Sequence, residues 1–212
     1  MQRVDFYYDP SCPFCWVTSR WLVQASAKRD IDVTWRPFSL AIKNDELPGG
    51  ANENSGHSKG HNAGHRVLRV IAAAEKEGAD AGGLYTVFGA ARHVDGTDFT
   101  DELISEILAD SGLSADLLKA ADDDSWDEHL NAELKSALDL VGDDVGVPII
   151  AFEREDGTKQ GYFGPVILTL PEEEEGLAMW DGLSNLATVE TFYELKRTRP
   201  AGGPDTQSTK GL

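Results

Sequence analysis

The stretch Val4-Asp5-Phe6-Tyr7-Tyr8-Asp9-Pro10-Ser11-Cys12-Pro13-Phe14-Cys15-Trp16 decides how this 212-residue chain is read. Its apolar opening has the character of a buried strand, and Asp9-Pro10 stops it. A helix follows from about Pro13 to Lys28, with Trp16, Val17, Trp21, Leu22 and Ala25 as its apolar members. Both cysteines therefore fall at a strand-to-helix junction. The two-residue spacing brings their sulfurs within bonding reach across the first helical turn. At a helix start, unpaired N–H groups and the positive end of the dipole stabilise a thiolate, which makes Cys12 the expected nucleophile. Pro13 suits the first helical position because it has no N–H to leave unsatisfied. Cys15, one turn deeper, is placed to attack a mixed disulfide formed on Cys12. Pro13 and Phe14 between the cysteines, and Trp16 after them, are candidate substrate contacts; Phe14 and Trp16 could form one wall for a flat molecule, and Trp16 is equally placed to belong to the core.

Outward from this junction, Ile31 to Phe38 alternates Ile31, Val33 and Trp35 against Asp32, Thr34 and Arg36, as a strand does, completing a β-α-β unit suited to parallel pairing. Residues 43–64 are polar and rich in glycine, and read as a loop. From 65 to 141 the apolar period becomes helical, through Val67, Leu68, Val70 and Ile71, then Leu84, Val87 and Phe88, then Leu103, Ile104, Ile107 and Leu108. Trp126, Leu130, Leu134 and Leu138 recur every fourth residue behind Ser125-x-x-Glu128, which has the form of a capping box. Strand character returns at Pro148 to Phe152, and Asp156-Gly157 turns the chain into an antiparallel partner ending near Phe163. One or two closing helices are expected between about Glu172 and Leu195, with Thr191-x-x-Glu194 as a further capping box. The tail 197–212 has no apolar period and is expected to be disordered.

The order β-α-β, helical block, β-β-α is that of an α/β thioredoxin-like fold interrupted by a helical insertion. Residues 1–42 and 142–196 would form the thioredoxin-like domain and 65–141 the inserted helical domain. In such folds a cis-proline stands beside the dithiol, and the residue before it offers its backbone to an extended substrate; Val147-Pro148, just ahead of the returning strand, is the candidate. His93, after Phe88 and before a polar turn, either lines the cleft or closes a helix. His57, His61 and His65 lie four apart, a spacing that would align metal ligands on a helix. Gly56, Gly60 and Gly64 interrupt that stretch, so a solvated loop without metal is the reading.

A net charge of −18 repels phosphate backbones and anionic lipid, which removes nucleic acid and membrane surfaces as partners. The acidic runs 122–124, 143–144 and 172–175 lack the spacing of a calcium loop and read as solvated faces. No basic, apolar and small-residue sequence opens the chain, and no run approaches the roughly 18 apolar residues of a membrane span. A cytoplasmic location is expected. With two cysteines and reducing surroundings, the pair is redox-active and not a structural bridge. No flavin or nicotinamide fingerprint is present, so no tightly bound cofactor is expected.

Asp9 to Trp21, Ser39-Leu40-Ala41-Ile42, Gly142 to Pro148, Phe163-Gly164-Pro165 and Phe192 to Thr198 closely resemble the actinobacterial mycothiol-dependent nitroreductases of the DsbA family. The resemblance runs over most of the chain. It implies a thiol–disulfide oxidoreductase with a cysteine pair recycled by mycothiol, NADPH acting indirectly through mycothione reductase. Its implied partners are a low-molecular-weight thiol and a small electrophile, such as a nitroaromatic, or a mixed disulfide. By the same resemblance Asn44 would sit near the dithiol and contact substrate. The family usually has tryptophan where this chain has Phe14. Two alternatives differ from a small-molecule reductase: an oxidant or isomerase of protein disulfides, and a helical binding or chaperone module whose thiols sense oxidation.

Overall fold

The computed structural model describes all 212 residues. Seven residues of alternating and then continuous burial, Gln2–Tyr8, form β1, and the predicted helix after it runs Pro13–Ser26 as α1. Strand β2, Ile31–Pro37, returns beside β1. Gln2 N–H donates to the Asp30 carbonyl at one end and Phe38 N–H to the Tyr8 carbonyl at the other, both at 2.8 Å, so the two strands run parallel. After α2 (Leu40–Lys43) come α3 (Ser58–Lys76), α4 (Ala81–His93), α5 (Asp101–Asp110) and α6 (Asp127–Val141). The hairpin β3 (Ile149–Glu153) and β4 (Lys159–Phe163) and helix α7 (Glu173–Leu186) complete the order. The sheet runs β2-β1-β3-β4, with β1 and β3 antiparallel in the register Val4 opposite Phe152 and Tyr7 opposite Ile149.

The chain divides into two compact units, Met1–Tyr7, Pro13–Arg36 and Ala137–Leu212 in one, Tyr8–Cys12 and Pro37–Ser136 in the other. In the first unit the central strands bury Phe6, Tyr7 and Ile149 to Phe152. Helix α1 packs on α7, where the Trp21 indole donates to the Gly176 carbonyl at 2.9 Å and its ring lies 6.1 Å from that of Trp180. In the second unit α3 supplies Val67, Leu68, Val70 and Ile71 to a core shared with Leu84, Tyr85 and Phe88 of α4 and Ile104 and Leu108 of α5.

Four expectations are corrected. The loop reading of 43–64 ends too late, because α3 begins at Ser58 and passes through Gly60 and Gly64. The proposed capping box at Ser125 is not formed: Ser125 N–H donates to Asp123 Oδ1 at 3.0 Å within a 3-10 turn, and α6 starts at Asp127. No helix follows α7 at Thr191, because side chains of β4 take the backbone there. Tyr162 donates to the Phe192 carbonyl at 3.2 Å, and the two rings pack at 5.6 Å. The tail is structured where disorder was expected. Thr206–Thr209 is a 3-10 turn, Asp205 N–H donates to the Leu168 carbonyl at 2.6 Å, and Thr209 is 2% exposed.

Candidate active site

Cys12 immediately precedes α1 and Cys15 lies in its first turn, as the strand, breaker and Pro13 require. Both are buried, Cys12 at 7% exposure and Cys15 at 0%. The segment leading to Cys12 is pinned by Asp9. Its Oδ1 accepts from the N–H and hydroxyl of Ser11 at 2.8 and 2.6 Å, and its Oδ2 from Leu40 N–H at 2.8 Å. The Asp9 carbonyl accepts from Cys12 N–H at 3.0 Å. Burial pushes the Asp9 carboxyl above the usual carboxylate range, against the pull of these hydrogen bonds and of His61. Nothing in the sequence distinguished Asp9 from a strand-ending residue, because its partner Leu40 comes from another element.

His93, the last residue of α4, closes its helix and also reaches this segment. Its Nε2–H donates to the Pro10 carbonyl at 2.9 Å. A carbonyl only accepts, so the tautomer is assigned, and burial pushes the ring down to about 4, leaving it neutral near pH 7. Gly64 of α3 lies against the same segment. A Cβ there would stand 2.7 Å from Asp9 Oδ1 and 2.9 Å from the Ser11 Cβ, so only glycine admits this approach.

The other expected site residues divide. Pro13 and Phe14 are half-buried in the first turn of α1. Trp16, open between a substrate wall and the core, lies in the core: it is 2% exposed, its indole donates to Thr209 Oγ1 at 2.8 Å, and the Arg20 guanidinium lies 4.5 Å from its ring centroid. A buried indole N–H needs an acceptor, and the tail supplies one. The Val147–Pro148 peptide is cis, as is Gly164–Pro165. Asn44 caps the C-terminus of α2, and its carbonyl accepts from Asn52 Nδ2 at 2.8 Å.

The three histidines each have separate work. His57 stands at the N-cap position of α3 without a side-chain capping bond and stacks on His61 at 5.8 Å, and His61 pairs with Glu46 through Nδ1. Burial alone would raise Glu46, but hydrogen bonds from Ser55 and His61 hold it below the usual range. The Ser39 hydroxyl, which accepts from Ile42 N–H, is hydrogen-bonded to His65 Nδ1 at 2.9 Å. His65 Nε2 lies 3.0 Å from Asp127 Oδ1, and Arg69 clamps that carboxylate with two bonds of 2.7 Å. Burial pushes His65 down despite Asp127. No group of three histidine, cysteine or acidic side chains has the arrangement of a metal site. No helix is long and apolar enough to cross a membrane.

Known structures share this fold. A cytosolic disulfide reductase DsbM from Pseudomonas aeruginosa superimposes with a TM-score of 0.58 at 20% identity, over 87% of this chain and 100% of that one. A probable DsbA oxidoreductase, SCO1869 from Streptomyces coelicolor, gives 0.58 at 18% identity over 96% and 98%. The fold is thus the thioredoxin-like fold of the DsbA type. An uncharacterized protein of Mycobacterium tuberculosis, Rv2286c, is 29% identical over 202 residues, 94% of this chain and 83% of that protein. The family model of the mycothiol-dependent nitroreductase Rv2466c matches residues 11–197, from the residue before the first cysteine almost to the tail, and the chain belongs to that Rv2466c-like family.

Proposed function

We propose that this protein is a thiol–disulfide oxidoreductase that uses mycothiol to reduce small electrophiles or low-molecular-weight disulfides, with Cys12 as nucleophile and Cys15 as resolving thiol. The observation that carries the reading is the position of Cys12 directly before α1, on a segment pinned by Asp9 and His93, with Cys15 buried one turn further on. Membership of a family described as mycothiol-dependent supports the choice of thiol.

The Cys12 thiolate attacks one sulfur of a disulfide, forming a mixed disulfide and expelling one thiolate, which takes up a proton. Cys15, deprotonated, attacks the Cys12 sulfur, releases the second thiolate and closes the Cys12–Cys15 disulfide. Two electrons have then passed from the dithiol to the substrate. Two mycothiol molecules return them by the reverse exchange and leave as their disulfide, which an NADPH-dependent mycothione reductase recycles. His93 and Asp9 act as positioning residues, holding the Pro10–Cys12 backbone so that the sulfur keeps its place at the helix start. Pro13, Phe14, Asn44, Val147 and Pro148 remain the proposed substrate contacts.

Unequal cysteines are the test. On incubation with oxidised mycothiol, Cys15→Ser protein gains the mass of one mycothiol, because the adduct on Cys12 has no internal thiol to release it, and Cys12→Ser protein gains none, because Cys15 is fully buried and reaches only a partner already attached to Cys12. Cys12→Ser also abolishes turnover in an assay coupled to NADPH through mycothione reductase. Equal adducts on both variants, or turnover without Cys12, would refute the assignment and favour a binding module.

A further inference from the structure

The tail does more than cover Trp16. Upstream of the Thr206–Thr209 turn it carries Arg199, whose guanidinium carbon lies 5.6 Å from the centroid of Phe14, the residue between Pro13 and Cys15. A cation over an aromatic ring at this distance is attracted to the ring's negative face. Arg199 is exposed, and takes no part in the ion pairs that occupy Arg3, Arg29, Arg66, Arg69 and Arg92. Its surroundings in sequence run against the rest of the molecule. From Thr191 to Pro204 there are three cations, Lys196, Arg197 and Arg199, and one acid, Glu194, in a chain whose net charge is −18.

We propose that Arg199 is a specificity-determining residue that binds a carboxylate, or an anionic group of similar geometry, on the substrate held at the dithiol. A planar guanidinium presents a fork of N–H donors that matches a carboxylate, and attraction to the Phe14 ring keeps that fork at the residue between the cysteines without using its donors. The surface field of this acidic chain repels anions in general, so a cation against the residue between the cysteines admits them at the one place where reduction occurs. The preferred substrates are then small disulfides or electrophiles that carry an anionic group close to the reacting atom. This inference rests on the dithiol reductase reading above.

The experiment compares two aryl disulfides, dithiobis(nitrobenzoate), with a carboxylate on each ring, and uncharged dithiodipyridine, each mixed with pre-reduced protein in a stopped-flow instrument. The readout is the ratio of the anionic to the neutral rate constant. Arg199→Gln lowers this ratio about tenfold, the order expected for loss of one charge-assisted hydrogen bond, and Arg199→Glu lowers it further. Lys196→Gln removes the same charge three residues away and leaves the ratio unchanged. An unaltered ratio in Arg199→Gln, or an equal fall in Lys196→Gln, would overturn the proposal, since an effect on the thiolate changes both probes together and general electrostatics acts through either cation. Cys12→Ser protein that reacts with the neutral probe as fast as the wild type would instead overturn the dithiol reading itself.

Discussion

His93 shows what one residue contributes when its neighbours come from elsewhere in the chain. From sequence it is a histidine near a helix end; in the fold it is a half-buried neutral donor to Pro10, two residues before Cys12. Its ring sits at about 4, below the ordinary 6.5, so between those values the unfolded chain binds a proton that the folded chain excludes. Stability contributed this way is intact above pH 6.5 and is lost as pH falls toward 4. His65, also pushed down by burial, acts in the same direction, whereas the raised Asp9 carboxyl acts in the opposite one. Replacing His93 with Gln keeps an N–H donor and removes the titration. We expect urea denaturation to show the wild type losing about 2–3 kcal/mol more than His93→Gln between pH 7.5 and 4.5. Parallel pH profiles for the two proteins would show that the fold does not hold His93 neutral. The placement of Cys12 and Cys15 at the helix start was legible because their spacing and the Pro13 helix start are local. The acceptor of the Trp16 indole was not, because Thr209 lies 193 positions away.

At the scale of elements, α3 is where local and tertiary preferences part. Glycine costs a helix roughly 1 kcal/mol relative to alanine, which is why 43–64 reads as a loop to its end. Helix α3 nevertheless starts at Ser58, and Gly64 within it meets Asp9 and Ser11 at distances no Cβ tolerates. The local cost of glycine is offset by the contact it allows. Gly60, on the same helix, has nothing within 4 Å of its missing Cβ. The two glycines therefore respond oppositely to one substitution. Gly60→Ala is expected to stabilise by about 0.5–1 kcal/mol, and Gly64→Ala to destabilise by about 1–3 kcal/mol through overpacking. Thermal and urea unfolding measure both, and a stabilised Gly64→Ala protein would mean that the helix does not press on the Asp9 segment. Strand and hairpin positions needed no such correction, since alternation in 31–36 and Asp156-Gly157 before Lys159 are signals carried within a few residues.

For the whole molecule, the tail tests how far stability extends beyond the residues that match the family. Truncation after Gly202 removes the Thr206–Thr209 turn, the Asp205 bond to Leu168 and the acceptor of the Trp16 indole, while leaving Arg199 in place. Thr209→Val alone leaves a buried N–H without its acceptor and is expected to cost about 1–3 kcal/mol. The truncated chain loses more, and its tryptophan emission shifts to the red as Trp16 meets water. Unchanged unfolding and emission would show that the tail contributes nothing to the core. The acidic balance, the strand-to-helix cysteine pair, the β-α-β and hairpin order and the family were all determined by the sequence itself, because each is written in residues close together or in a sum over the chain. Only the tertiary structure decided that Asp9 anchors Leu40, that His93 donates to Pro10, that Gly64 admits α3, and that Thr209 and Arg199 meet the residues on either side of Cys15. Those pairs are joined by burial and hydrogen bonding across long separations, and neither residue of a pair carries a local mark of its partner.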